Sequence, residues 1–213
     1  NQNIYNRQIN INKSISIPKI FHYYWDDFRK LSYINLYSLK TSVHYHPDYI
    51  HIIWCPINPN NNITWNESCN KDFTQDPSWS KYVDEITNMT NVKIIKKDIT
   101  NFINVSDEMS EIHKSDIFRY KILNKYGGIW SDLDIVYIKS ITDIINFKFD
   151  TINFLCKAPA FVYFPIGLLL SKRNSKMFKY IYNKAIEVYN KDKYQCMGSV
   201  LLNKIFTNGT GPI

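Results

Sequence analysis

The chain has 213 residues, of which 45% are hydrophobic and 15% aromatic, with six glycines and eight prolines. That length and balance describe a globular chain and exclude collagen-like or low-complexity architecture. The formal charge of +7 comes from scattered lysines, and the nearest approach to a basic block, Lys93–Lys97, is interrupted by two isoleucines, which argues against a nucleic-acid partner.

In chain order, residues 1–16 are polar and Asn-rich and read as a tail, leaving 17–213 as a single domain. Ile17–Trp25 is β-branched and aromatic and predicts a first strand. Arg29–His46 places Leu31, Ile34, Leu36, Leu39 and Val43 at helical spacing and stops at Pro47. Tyr49–Trp54 predicts a second strand, residues 56–77 a loop, and Val92–Ile95 a third strand. Asp107–Tyr126 predicts a helix, with Ser106 as its N-cap, acids in the first turn and Gly127 just past its end. Ile129–Ser131 is a short strand leading into Asp132 and Asp134. Further strands are expected at Phe154–Leu155 and Tyr163–Leu170, and helices at Met177–Val188 and Val200–Phe206. Strands alternating with helices up to residue 134 imply a mainly parallel α/β sheet. Ligands in such sheets sit at the carboxyl ends of the strands, where Trp25 and Asp132 both fall.

The four cysteines, Cys55, Cys69, Cys156 and Cys196, form no C-x-x-C pair, which argues against zinc or thioredoxin-like chemistry. N-x-S/T sequons begin at Asn12, Asn62, Asn66, Asn88, Asn104 and Asn208. In a chain this rich in Asn they leave the compartment open between a secretory lumen and a viral or host cytoplasm. No apolar run is long enough to cross a membrane. The chain begins with Asn rather than Met and reads as a fragment, which leaves open whether an N-terminal anchor precedes it.

The chemical centre is Trp130-Ser131-Asp132-Leu133-Asp134. Two carboxylates two residues apart, just past a strand, can share a hard divalent ion, Mn²⁺ or Mg²⁺, whose shell phosphate oxygens and water complete. Upstream, Ile112, Asp116, Arg119, Leu123 and Tyr126 recur along one helical stripe. Charges on such a stripe are costly unless paired or liganded. Asp116 and Arg119 therefore read equally as a structural ion pair or as a clamp for ligand hydroxyls. Gly127-Gly128 turns helix into strand, and Gly128 is a candidate for close approach of backbone to ligand.

Ser115-Asp116-x-x-Arg119-Tyr120-x-x-Leu123 followed by Tyr126-Gly127-Gly128-Ile129-Trp130-x-Asp132-x-Asp134 resembles the D-x-D sugar-binding region of glycosyltransferase family 32 and of the clostridial glucosylating toxins. Ile17-Pro18-Lys19-Ile20-Phe21-His22-Tyr23-Tyr24-Trp25 resembles that family's first strand, and Gly209-Thr210-Gly211-Pro212 a motif near its C-terminal end. The resemblance implies a GT-A fold, a nucleotide-sugar donor, a divalent metal, a glycan or glycoprotein acceptor, and transfer with retention of configuration. A UDP-sugar is expected over GDP-mannose. Residue by residue, it implies that Trp25 with Tyr24 flanks the nucleobase and that Asp116 and Arg119 hold sugar hydroxyls. Trp130 then lies near the sugar and phosphates, Asp132 reaches the ribose and metal, and Asp134 binds the metal directly. Trp130 stands where relatives carry Tyr, which removes a hydroxyl and its hydrogen bond. The chain also stops where relatives continue, so a third metal ligand or lid from that later segment is expected to be missing or supplied elsewhere.

Two other readings remain. Asp132-Leu133-Asp134-Ile135-Val136 also fits the D-x-D-x-[TV] pattern of haloacid-dehalogenase-like phosphatases, with Asp132 as nucleophile and Asp134 as acid/base. That motif, however, normally follows a longer apolar strand. The domain could also bind nucleotide sugars or glycans without turnover.

Overall fold

The structure is a computed structural model that describes residues 16–60, 76–143, 149–158 and 161–207. The tail up to residue 15, Cys69, the sequons at Asn12, Asn62, Asn66 and Asn208, and the Gly209–Pro212 motif lie outside the described residues.

Strands and helices alternate through the first part of the chain. β1 (Ile20–Tyr24) is followed by α1 (Tyr33–Tyr45), β2 (Ile50–Pro56), α2 (Trp79–Thr87), β3 (Val92–Lys97) and the short α3 (Ile99–Ile103). Then come α4 (Glu111–Tyr126) and β4 (Gly128–Ser131). The later part holds β5 (Thr151–Asn153), β6 (Cys156–Ala158), β7 (Phe161–Tyr163), β8 (Leu168–Ser171), α5 (Lys176–Glu187) and α6 (Ser199–Thr207). Six strands make one sheet in the order β3-β2-β1-β4-β8-β5. The first four are mutually parallel, whereas β8 runs antiparallel to both β4 and β5. β6 and β7 form a separate antiparallel pair.

Side-chain alternation divides the core between the two faces of this sheet, because successive strand residues point to opposite sides. Ile52, Trp54, Trp130 and Leu169 pack with Ile117, Phe118 and Leu123 of α4 and with the buried faces of α5 and α6. Phe21, Tyr23, Ile53, Ile129 and Leu170 pack on the other face with Leu36 and Leu39 of α1, Ile86 of α2, and Leu133, Tyr137 and Ile141. Both faces are covered, which is why β1 and β2 are nearly continuous apolar or aromatic runs.

Several expectations shift. The helix expected over Arg29–His46 is a 3-10 turn at Phe28–Lys30 followed by α1. Ser32 opens α1, and its N–H and hydroxyl both donate to Asn35 Oδ1 at 2.9 and 2.7 Å. The helix expected from Asp107 begins at Glu111, and Ser110 is the cap: its Oγ accepts the His113 N–H at 3.3 Å. Ser106 instead closes a turn through the N–H groups of Glu108 and Met109, and this turn carries Met109 into the core before the helix starts. Helices α2 and α3 have no counterpart in the sequence reading. The strand expected over Tyr163–Leu170 is two strands, β7 and β8, and Phe154–Leu155 falls between β5 and β6.

Candidate active site

Parallel strands bring their carboxyl ends to one edge. Tyr24 of β1 is level with Trp54 of β2, and Trp130 of β4 is level with His22. Asp132, two residues beyond Trp130, thus comes to the edge where β1 delivers Tyr24 and Trp25. The ladder between β4 and β8 runs one step further, with Asp132 N–H donating to Gly167 O at 2.8 Å. A Cβ on Gly167 would stand 3.0 Å from Asp132 Oδ2, so the bare glycine leaves that oxygen its place.

Helix α4 supplies the other half of the site. Arg119 reaches Asp116 Oδ1 at 2.8 Å, one turn before it on the same helix. It also donates to the Ile166 carbonyl at 2.9 Å and lies 3.4 Å from Asp132 Oδ1. Asp116 and Arg119 are only 4% and 5% exposed, whereas the Asp132 side chain keeps 35% of its surface. Burial raises the Asp116 carboxyl to about 7, the Arg119 charge pulling it down and Asp132 pushing it up. Burial works against the Arg119 charge, but the carboxylates of Asp132 and Asp116 outweigh it and raise its pKa. Crowding by protein likewise raises the Asp132 carboxyl, against the opposing pull of Arg119. Of the two alternatives for this helical stripe, the pair is made and it is buried. It is also joined to a third charge from a different element.

Trp130 is 1% exposed. Its ring lies beneath the Arg119 guanidinium, 4.9 Å from the guanidinium carbon to the ring centroid, and its indole N–H donates to Asp132 Oδ1 at 2.8 Å. The position thus keeps a hydrogen-bond donor, an indole N–H where a Tyr would carry a hydroxyl. Asp134 is exposed and forms no ion pair among the described residues.

At the end of β1, Trp25 keeps partial exposure and donates its indole N–H to Asp27 O at 2.8 Å. Tyr24 packs on Phe118, and its hydroxyl donates to Glu111 Oε2. Gly128 is buried with φ +102°, and a Cβ there would meet Ile20 O at 2.5 Å. The close approach it permits is to the backbone of β1.

Other residues of the site escape the sequence reading. Asn35, whose Oδ1 receives Ser32, donates its Nδ2 to Leu133 O at 3.0 Å; Leu133 is the residue between the two aspartates. Ser38 and Thr41 continue along α1 to Ile135 O at 2.6 Å and Tyr137 N at 3.1 Å, so α1 braces the whole segment. Between α5 and α6, Tyr120 holds Met197 O at 2.8 Å, and a Cβ on Gly198 would come 3.6 Å from Asp116 Oδ2. Tyr194, in the same stretch, is close enough for Asp116, Asp132 and Asp134 to raise its phenol, after the larger effect of burial. Only the Ser32-x-x-Asn35 spacing was a local signal for any of these.

The sequence model of the family described as "glycosyltransferase sugar-binding region containing DXD motif" matches residues 35–150, more than half of the chain. Inositol phosphoceramide mannosyltransferase 3 of Schizosaccharomyces pombe is 26% identical over 145 residues, covering 68% of this chain and 32% of that protein. The chain thus spans about a third of the length of that curated relative. Among solved structures, PaToxG glycosyltransferase superposes with a TM-score of 0.63 at 17% identity, over 97% of this chain and 76% of that one. The catalytic domain of α-toxin from Clostridium novyi does so with a TM-score of 0.51 at 12% identity, over 97% and 63%. At such identities the likeness is one of fold, and the fold is the GT-A type expected from the sequence.

Proposed function

This chain belongs to the glycosyltransferase family marked by a DXD-containing sugar-binding region, and on that premise we propose that it transfers a sugar from a nucleotide-diphosphate donor. The observation that carries the reading is the convergence of Asp116, Arg119 and Asp132 at the carboxyl edge of the parallel strands, with exposed Asp134 two residues on.

In this reading Asp132 and Asp134 hold a divalent cation, Mn²⁺ or Mg²⁺. The residues fit such an ion: they offer hard carboxylate oxygens, one of them on an exposed side chain. No group of three His, Cys, Asp or Glu that could hold a metal occurs among the described residues. Diphosphate oxygens and water then complete the shell, as Mg²⁺ and Mn²⁺ commonly allow. Bound there, the cation would neutralise charge on the departing diphosphate. Arg119, held by Asp116 and Ile166 O, fixes a positive charge beside Asp132 and, with Asp116, grips donor hydroxyls; charge-assisted hydrogen bonds of this kind are the strong ones. Trp130 orients Asp132 from below. Trp25, flanked by Tyr24, offers a flat surface to the base, and the Gly128 turn sets the register that brings β4 to β1.

We favour a UDP-sugar donor, a glycan or glycoprotein acceptor, and front-face transfer with retention, all carried over from the resemblance. The name of the yeast relative supplies the alternatives, a mannosyl donor and a phosphosphingolipid acceptor. The test is a thermal-shift screen of UDP- and GDP-sugars with and without Mn²⁺, beside Asp134→Ala. A ligand of the native state raises stability by about 2.7 kcal/mol at a hundredfold excess over its Kd, a shift of a few degrees. One donor should shift the melt only with metal, and Asp134→Ala should abolish the shift. A shift that survives Asp134→Ala would remove the metal role. Donor binding without hydrolysis or transfer to any acceptor would make the domain a binding module.

A further inference from the structure

On the face of α4 turned away from Arg119, three lysines collect around one aromatic ring. The ammonium groups of Lys97, Lys121 and Lys125 stand 4.4, 5.5 and 5.2 Å from the centroid of Phe102. They come from two separate elements: Lys97 closes the edge strand β3, while Lys121 and Lys125 are one turn apart on α4. A helix advances about 100° per residue, so both α4 lysines point more than a right angle away from Arg119 and the candidate donor site. The rings of Phe102 and Trp130 are separated by Phe118, at 5.5 and 6.2 Å from them respectively.

We propose that Lys97, Lys121 and Lys125, gathered on Phe102, form an anion site that takes a phosphate group and is distinct from the donor site. A solvated lysine ordinarily extends away from its neighbours, and like charges brought together cost free energy. Here the cations are held by aromatic rings. Lys121 also lies over Tyr182, 4.7 Å from the centroid, and donates to its hydroxyl at 3.1 Å; Lys125 also lies over Tyr126 at 5.4 Å. Among the described residues, no carboxylate forms an ion pair with any of the three. The nearest acid in sequence, Asp98, is engaged as the N-cap of α3, accepting from Asn101 N and Nδ2 at 3.0 and 2.6 Å. Burial and then the neighbouring Lys125 lower the Lys97 ammonium, with Asp98 opposing them. Lys93 lies on the same face of β3, two strand positions before Ile95 and four before Lys97. A phosphate group carries multiple charge and several acceptor oxygens, and can meet converging ammonium groups at once.

The experiment titrates the whole chain with inorganic pyrophosphate in EDTA at low salt, so that no divalent ion serves the donor site. Amide chemical shifts report the binding. A parallel arm sediments the protein with phosphatidylcholine vesicles, with or without a phosphatidylinositol phosphate. Saturable binding is expected that weakens with salt, is about fivefold weaker in Lys97→Gln and in Lys125→Gln, weaker still in Lys125→Glu, and unchanged in Asp134→Ala. Lys97→Arg should bind as the parent does. Circular dichroism checks that each variant is folded. Pyrophosphate binding with this lysine dependence identifies a soluble phosphate ligand; the same dependence with vesicles alone identifies a lipid headgroup. If neither probe saturates, or the Gln variants bind like the parent, the proposal is overturned.

Discussion

Asn35 does two jobs with one amide. Its Oδ1 serves the start of α1, and its Nδ2 holds the carbonyl of Leu133 between the aspartates. Removing the side chain should therefore affect both stability and the site. Asn35→Ala is expected to cost about 1–2 kcal/mol and to diminish the metal-dependent donor shift. Ser32→Ala should cost about 1 kcal/mol while leaving that shift intact. Equal donor shifts in the two variants would mean that Leu133 needs no such tether. Gly128 tests a different constraint. At φ +102°, with the Ile20 carbonyl 2.5 Å from a Cβ's position, Gly128→Ala should cost on the order of 3 kcal/mol in urea unfolding. A near-neutral result would show that the β1–β4 pairing can yield there.

At the scale of the element, α4 is fastened at its N-terminal end by a buried ion pair. Lys114 Nζ lies 2.9 Å from Glu111 Oε1, and the two side chains are 1% and 7% exposed. The same carboxylate accepts the Asn60 N–H at 2.8 Å and the Tyr24 hydroxyl, so one residue joins α4 to the end of β1 and to the chain after β2. Breaking a buried pair leaves an uncompensated charge, whereas replacing both partners is often tolerated. Glu111→Gln should lower stability by about 3 kcal/mol, and adding Lys114→Met should restore much of it. Additive losses in the double-mutant cycle would show that the pair is not coupled.

For the whole molecule, three buried histidines join distant segments in neutral form, His22 on one face of the sheet and His46 and His51 on the other. Trp54 donates to His22 Nδ1 at 3.1 Å, leaving Nε2 to donate to Gly127 O at 2.9 Å. Ile141 N–H donates to His46 Nε2 at 2.8 Å, and His46 Nδ1 donates to Ser42 O at 2.7 Å. His51 accepts from Tyr23 at Nδ1 and donates to His46 O. Burial lowers His22 and His51 to about 4. The unfolded chain then takes up protons near pH 6.5 while the folded one does not. Their contribution to stability is thus full above pH 6.5 and is lost as pH falls toward 4, on the order of 3 kcal/mol each. Asp116, raised to about 7, has the opposite sign, since its burial costs most above pH 7. His51→Gln separates the two effects. It should be less stable than the parent at pH 7 yet lose less between pH 6.5 and 4; parallel curves would contradict the assignment.

The sequence by itself determined what depends on neighbours along the chain. The alternation of strand-like and helical segments up to residue 134 is read along the chain, and it already implied a mainly parallel sheet. The Asp116-x-x-Arg119 stripe, Gly127 at the helix end and the two aspartates after a short strand were equally legible, because each is fixed within one or two turns of backbone. Tertiary structure decided what depends on contacts between distant residues. Ser106 satisfied the local rule for a cap, yet in the fold Ser110 caps the helix and Ser106 closes the turn before it. Nothing near Leu168–Ser171 announces that this strand inserts antiparallel beside β4, which in turn delivers Ile166 O and Gly167 to Arg119 and Asp132. Whether Asp116 and Arg119 form a structural pair or a clamp for ligand hydroxyls was open in the sequence, and a third charge beside them was not read from it. That third charge and the Ile166 carbonyl come from β4 and from the chain before β8, which only the folded sheet brings to Arg119.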